Sequence, residues 1–327
     1  MDKSIALVGL DVTGQSIGLA LRQAGVDAQR VGHDKDGATA RQAQEAGAVD
    51  RLEASLKSAA SQAPLAVVSV PAWRLASTLE ELAAALPADA VVLDASPLKQ
   101  PALQALPQLR SAGIHYIGLT PAVNGDRLQA GEFGHPTASA DRFRGGVLGV
   151  ILPPGTPQEA LDLALQMAAL LQATPYFLEA GEADACAVLS DELPSLLSTA
   201  LMHASLSETA WREVRRTAGP PFVDMVSLGL ARPSEEIAHV ALAARTSTLE
   251  KLDHLMLSLQ EIRRLVEAGD EPGLQRIVKE ADTALRQLLQ ARIRSDWAAE
   301  EVGQPVAPAR EAPFARLFGF RRPSPRA

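Results

Sequence analysis

Short, wholly apolar runs alternate with longer segments of 3.6-residue periodicity through the first half of the chain. Residues 4–9, 28–34, 65–70, 90–94, 114–118, 146–152 and 174–178 read as strands. Several lack the inside–outside alternation of a half-exposed sheet, so both faces are expected to be buried. Between them, residues 14–24, 38–46, 73–86, 100–112 and 157–172 read as helices, two of them closed by Gly25 and Gly47. Strands alternating with helices predict a doubly wound parallel α/β sheet. After about Gly181 the strand signal stops. Residues 183–206 (broken at Pro194), 208–217, 235–268 and 271–297 read as helices, and Leu249, Leu252, Leu255, Leu259, Ile262 and Leu265 form one apolar stripe. The pattern predicts an α/β domain over residues 1–180, an all-α domain over 181–298, and a Pro- and Arg-rich tail over 299–327, expected to be disordered.

The first strand runs into Gly9-Leu10-Asp11-Val12-Thr13-Gly14, a dinucleotide-binding G-x-G-x-x-G turn of the Rossmann type with its middle glycine replaced. The first glycine makes the tight turn, the second lets backbone amides approach the pyrophosphate, and the third packs helix on strand. A carboxylate about 4 Å from a phosphate oxygen costs about 4 kcal/mol at an effective dielectric near 20, a weakening of roughly a thousandfold. The alternative is that Asp11 turns outward and caps the following helix; the two uses are compatible. Asp34 ends the second strand twenty residues after Gly14, where an acidic group accepts from the adenosine ribose and favours NAD over NADP. A solvated acid in Asp34-Lys35-Asp36 is the other reading, and His33 and Lys35 leave NADP open. Gly9, Asp11, Gly14, Gln15, Asp34, Val70 and Pro71 are therefore the expected cofactor-binding residues.

Composition narrows the class. Apolar residues make up 47% of 327, enough for a full core, and aromatics only 4%, so Ala and Leu must fill it. A formal charge of −8 argues against nucleic acid as a partner. No apolar run approaches the ~20 residues of a membrane span. Cys186 is the single cysteine, so no intrachain disulfide forms and a reducing, cytoplasmic setting fits. Met1-Asp2-Lys3 runs straight into the first strand, leaving no room for a signal peptide. His203, His239 and His254 lie on helical segments without metal-ligand spacing, so no metal is expected.

Five segments in order resemble the prephenate/arogenate dehydrogenase family, whose members join a Rossmann domain to an all-helical dimerisation domain. The turn Gly9–Gly18 is similar to G-L-G-L-I-G-G-S-L-A, and Asp94-Ala95-Ser96-Pro97-Leu98-Lys99 to D-x-G-S-V-K. Tyr116-Ile117-Gly118-Leu119-Thr120-Pro121-Ala122-Val123-Asn124 resembles F-V-G-G-H-P-M-A-G, Asp191-Glu192-Leu193-Pro194-Ser195 resembles S-H-L-P-H, and Pro221–Ser227 resembles G-F-R-D-M-T-R. The resemblance spans roughly residues 4–295. It implies a homodimer, NAD or NADP as cofactor, a small carboxylate-bearing substrate, and a place in tyrosine biosynthesis. In that family a histidine takes the proton from the substrate hydroxyl while hydride and CO2 leave; Thr120 stands in its place, and a threonine hydroxyl has no useful basicity near neutral pH. Pro97 replaces the serine beside that histidine, with Ser96 one residue earlier as a partial substitute. Val223 and Ser227 replace two arginines, the first a carboxylate anchor, and Glu192 and Ser195 replace two histidines.

Thr120, Ser96 and Lys99 are the candidate catalytic residues, since both segments end at the carboxyl edge of the sheet where α/β proteins bind ligands; for Lys99 a surface lysine is the plainer alternative. His135, in Gly134-His135-Pro136, repeats a G-H-P motif fifteen residues late, with a return to the cleft as the bolder reading. Phe314–Arg322 interleaves apolar residues with arginines, as a short partner- or membrane-binding helix does, though a solvated end explains it as well. Two functions fit: a dehydrogenase of this family with a changed site, or a catalytically silent member acting as a binding or regulatory scaffold.

Overall fold

A computed structural model describes residues 4–130, 136–229 and 231–294. Eight strands form one sheet in the order β3-β2-β1-β4-β5-β6-β7-β8. They are β1 Ser4–Val8, β2 Gln29–His33, β3 Arg51–Leu52, β4 Leu65–Val68, β5 Val91–Asp94, β6 His115–Ala122, β7 Val147–Ile151 and β8 Thr174–Phe177. The helices on this sheet are α1 Val12–Gln23, α2 Gly37–Glu45, α3 Leu56–Ala60, α4 Ala72–Ala83, α5 Gln100–Leu103, α6 Leu106–Ser111, α7 Gly125–Ala130 and α8 Gln158–Leu170. One face packs Ile5, Leu7, Val67, Leu93, Ile117, Leu119, Leu148 and Val150 with Ile17 and Leu21 of α1 and Leu163 and Met167 of α8. The other packs Ala6, Val8, Ala66, Val68 and Val92 with Leu75, Leu79 and Leu82 of α4.

All neighbouring strands are parallel except β6 and β7, where Gly118 pairs with Ile151 and Ala122 with Val147 in antiparallel register. This corrects the all-parallel expectation. A parallel partner needs a crossover to the far end of the sheet, whereas the chain leaves β6 and re-enters beside its carboxyl end. The expected helix over 100–112 is two short ones, α5 and α6, with a proline in the first turn of each. Pro107 has no N–H to donate and its ring excludes the carbonyl four residues back, so the helix cannot run through. β3 and α3, too short to leave a periodic signal, were not anticipated.

Among the described residues, 4–130, 137–183 and 289–294 group into one compact unit, and 184–229 with 231–288 into a second. The second is helical: α9 Ala180–Ala187 runs into a π-helical turn at Val188–Glu192, followed by α10 Leu193–Leu206, α11 Trp211–Thr217, α12 Pro220–Gly229, α13 Ser234–Ala243, α14 Arg245–Ala268 and α15 Glu271–Arg294. The expected single helix over 235–268 is split at Ala244, whose ψ of 35° leaves the helical region. No helix of the described residues is long and apolar enough to cross a membrane. His135 and the 299–327 tail lie outside the described residues.

Leu265 of α14 is fully buried, yet Leu249, Leu257, Leu259, Val266, Val278, Leu285 and Leu288 of α14 and α15 are each at least half exposed. Apolar surface of this extent, repeated on two 24-residue helices, marks a protein-binding face. Light scattering is expected to give about 69 kDa, twice the 34.5 kDa chain; a 34.5 kDa particle at micromolar concentration would overturn the dimer.

Candidate active site

The β1–α1 turn keeps the close approach that the first and third glycines of its motif require. Gly9 has φ +83°, and a Cβ built on it would fall onto the Ser69 carbonyl oxygen just past β4. A Cβ on Gly14 would likewise strike the Gly9 carbonyl. Gln15 is buried and its Nε2 donates to Leu10 O at 2.7 Å, bracing the turn from inside. Asp34, at the end of β2, is no loosely solvated acid. Its Oδ2 accepts from Leu10 N at 2.7 Å and its Oδ1 from Asp36 N at 2.8 Å, which fixes the carboxylate at the rim of the turn.

Asp11 caps α1, its Oδ1 accepting from Gly14 N at 2.8 Å and from Ser69 Oγ at 2.7 Å. The carboxylate therefore occupies an N–H at the positive end of a helix, the place where dinucleotide-binding turns hold phosphate. The residue keeps water-exposed surface, but crowding of protein atoms around its carboxyl pushes the pKa above the usual carboxylate range. The Gly14 and Ser69 hydrogen bonds pull it down, and the Asp34 charge adds a small push upward.

Polar groups knit together the carboxyl ends of β4, β5 and β6. Asp94, fully buried, accepts from Ser96 N at 2.9 Å and from the Tyr116 hydroxyl at 2.7 Å. Lys99 Nζ donates to Asp94 O at 2.9 Å and to Ser96 O, and lies 3.5 Å from Asp94 Oδ2. Val70 N donates to Ser96 Oγ at 3.1 Å, while Pro71 starts α4 beside it. Lys99 and Ser96 are each 1% exposed. The surface-lysine alternative is thus corrected: the ammonium neutralises a buried carboxylate, and neither side chain reaches the surface of this unit. A cavity of about 340 Å³ lined by Arg110, His115, Tyr116 and Pro154 opens at the amino end of β6.

Thr120 of β6 is half-buried, and its Oγ1 has no hydrogen-bond partner among the described residues. It lies in register with Gly149 of β7, which pairs in turn with Tyr176 of β8. Tyr116 and Tyr176 share this sheet face, and they are the chain's only tyrosines, a signal in the sequence that the strand pattern alone did not use. Arg292, near the end of α15 and grouped with this same unit, donates to the Val123 carbonyl just beyond β6. Sequence reasoning also passed over Ser69 and Asp94 as partners of Asp11 and Lys99.

In the helical unit, Glu192 closes the π-helical turn with its side chain buried, Oε2 taking Arg232 Nη1 at 3.0 Å. Burial raises its pKa, against the pull of Arg232. Arg232 also bonds Glu236 at 3.0 Å. Ser195 Oγ donates to Asp191 O, and Ser198 Oγ ties α10 to α12 through Met225 O at 2.7 Å. Val223 and Ser227 are exposed on α12.

Residues 17–175 match the model of the prephenate dehydrogenase nucleotide-binding domain, and residues 180–280 match that family's dimerization domain. The chain belongs to the prephenate dehydrogenase family. A prephenate dehydrogenase of Bacillus subtilis is 25% identical over 288 residues, covering 86% of this chain and 75% of that protein. A crystal structure of Aquifex aeolicus prephenate dehydrogenase with hydroxyphenyl propionate and NAD+ shares the fold, with TM-score 0.75 and 16% identity over 88% of this chain and 99% of that one. Synechocystis arogenate dehydrogenase does so at TM-score 0.69 and 21% identity, covering 87% and 99%. The nucleotide-binding match begins at residue 17, past the turn that carries Asp11.

Three outcomes are expected. Asp11→Gly should tighten NAD+ binding by roughly one to three orders of magnitude, since glycine is nearly as good an N-cap. Because the Asp11 pKa is raised, wild-type affinity should improve as pH falls and protonates the carboxyl above the usual carboxylate range, with Asp11→Asn removing that dependence; calorimetric titration reads both. Lys99→Ala should destabilise the protein in urea by about 3–5 kcal/mol, the usual result of stranding a buried charge, and Lys99→Ala with Asp94→Asn should recover part of the loss.

Proposed function

We propose that this chain is a nicotinamide-dinucleotide-dependent dehydrogenase of the prephenate/arogenate type, acting on a small carboxylate-bearing substrate in tyrosine biosynthesis. The observation that carries this reading is the tight Gly9–Gly14 turn with Asp34 fixed at its rim, beside a polar strand-end face. Gly9 and Gly14 give the approach a pyrophosphate needs, and Val70 and Pro71 border it across β4. Asp34 favours NAD: its carboxylate suits ribose hydroxyls and repels a 2′-phosphate. Asp11 opposes the fit, so affinity is low. A nicotinamide dinucleotide held by the Gly9–Gly14 turn and Asp34 would supply hydride-accepting chemistry. Thr120 can orient a substrate hydroxyl but cannot take its proton near neutral pH, so that proton passes to water. Ser96 and Lys99 act as positioning residues, holding the ends of β4, β5 and β6 in place beneath the reacting groups.

A second reading, a catalytically silent scaffold, is favoured by Asp11 holding the Gly14 N–H together with Thr120 in place of a base. The discriminating experiment titrates NAD+ and NADP+ calorimetrically, then follows reduced nicotinamide with prephenate and with arogenate. The expected result is measurable NAD+ binding with turnover at least a hundredfold below the ~10 per second of an ordinary enzyme. Turnover of ordinary size would overturn the role given to Thr120, with His135 the first residue to mutate. Absence of dinucleotide binding at millimolar concentration would overturn the dehydrogenase and leave the scaffold.

A further inference from the structure

One hollow of the α/β unit has no part in the reaction proposed above. It is the cavity of about 340 Å³ at the amino end of β6, between α6 and the turn that follows β7. Strands β1, β4, β5 and β6 run parallel, so their amino ends share one edge of the sheet. The Gly9–Gly14 turn and the Ser96–Lys99 segment follow the carboxyl ends of β1 and β5, on the opposite edge. A molecule held in the cavity therefore leaves the dinucleotide turn open.

The lining gives the chemistry of an occupant. Leu109 and Ile114 form buried apolar wall on the α6 side, and Pro153 lines the side of the turn. Tyr116 adds to the wall, with its hydroxyl already committed to Asp94 Oδ2 at 2.7 Å. Arg110 donates Nη2 to Pro154 O at 2.9 Å, a bond that carries the guanidinium from α6 to the turn. Its Nε and Nη1, like the His115 ring, have no partner among the described residues, and no described carboxylate lines the cavity. A guanidinium with donors to spare beside an apolar wall suits an anionic group on an apolar body. Volume sets the size: ligand pockets span roughly 300–1,000 Å³, so this one takes a single small molecule.

We propose that this cavity is a second binding site, taking a small carboxylate whose charged end meets Arg110 and whose apolar body lies against Leu109 and Ile114. The site is independent of the dehydrogenase reading and stands or falls without it. Its competitor is a water-filled gap in which Arg110 does no more than pin α6 to the turn after β7.

The test titrates the full chain calorimetrically with phenylacetate and with its uncharged amide, phenylacetamide. Arg110→Gln is expected to weaken phenylacetate by about tenfold while leaving phenylacetamide binding and the melting temperature unchanged. Arg110→Lys should recover only part of that loss, because a point charge replaces the planar fork. Leu106→Trp, at a half-buried position in the wall, should abolish binding of both probes by filling the cavity. Thr120→Val, toward the carboxyl end of β6, should change neither. Equal loss of both probes in Arg110→Gln, with a fall in melting temperature, would establish the structural pin and overturn the proposal. Phenylacetate weakened by Thr120→Val and untouched by Arg110→Gln would place the probe at the strand-end site and overturn it too. So would failure of the wild type to bind phenylacetate at about 10 mM.

Discussion

The rest of the site depends on one buried charge pair, Asp94 with Lys99. Two charges taken out of water are tolerable only if each is matched and its remaining hydrogen-bonding capacity filled. Asp94 meets that demand with the Ser96 amide, the Tyr116 hydroxyl and the Lys99 ammonium, and Lys99 adds the Asp94 and Ser96 carbonyls. Ser96 and Lys99 come from the segment just past β5, but the Tyr116 hydroxyl comes from β6, so meeting the demand ties the end of β5 to β6 and, through Ser96 Oγ and Val70 N, to the end of β4. The lysine stem crosses β6 at Gly118, where a Cβ would lie 3.1 Å from its Cδ, so the strand yields a side chain to let the charge in.

Where burial dictated a strand, the sequence could be read. β1, β4 and β5 are mostly apolar runs of four or five residues buried on both faces, too short for a buried helix, which is what marks them as strands. The helices with clear periodicity and a glycine stop came out within a few residues. Elements shorter than a period did not, which is why β3 and α3 were missed. The antiparallel β7 was illegible for another reason: its apolar residues would suit either direction, and direction is set by the route of the connection rather than by composition.

The site divides the same way. Gly9, Gly14 and Asp34 stood out because their spacing encodes a backbone shape. For Lys99 the sequence offered a catalytic role or a surface lysine, and neither named its partner, because a lone lysine says nothing about what it pairs with; Asp94 stood in the sequence as a strand end and as the start of the segment that resembles D-x-G-S-V-K. Tyr176 and Arg292 were invisible because Tyr176 lines up with Thr120 only through pairing across two strands, and Arg292 arrives from 169 residues beyond Val123. Asp11 had two readings in the sequence, and the structure supplies the cap directly while placing it on the ground a phosphate would use.

That cap also changes what cofactor can do for the protein as a whole. A helix that relies on a bound phosphate to satisfy its first amides is completed by ligand, and such a protein firms up sharply on loading. Here α1 carries its own anion from the moment it folds. An arriving dinucleotide exchanges one negative partner for another, so the net gain in rigidity is small. The apoprotein of this chain needs no ligand to complete α1, and thermal stabilisation on adding nucleotide follows its concentration relative to Kd, so it stays small wherever the Asp11 carboxylate keeps binding weak.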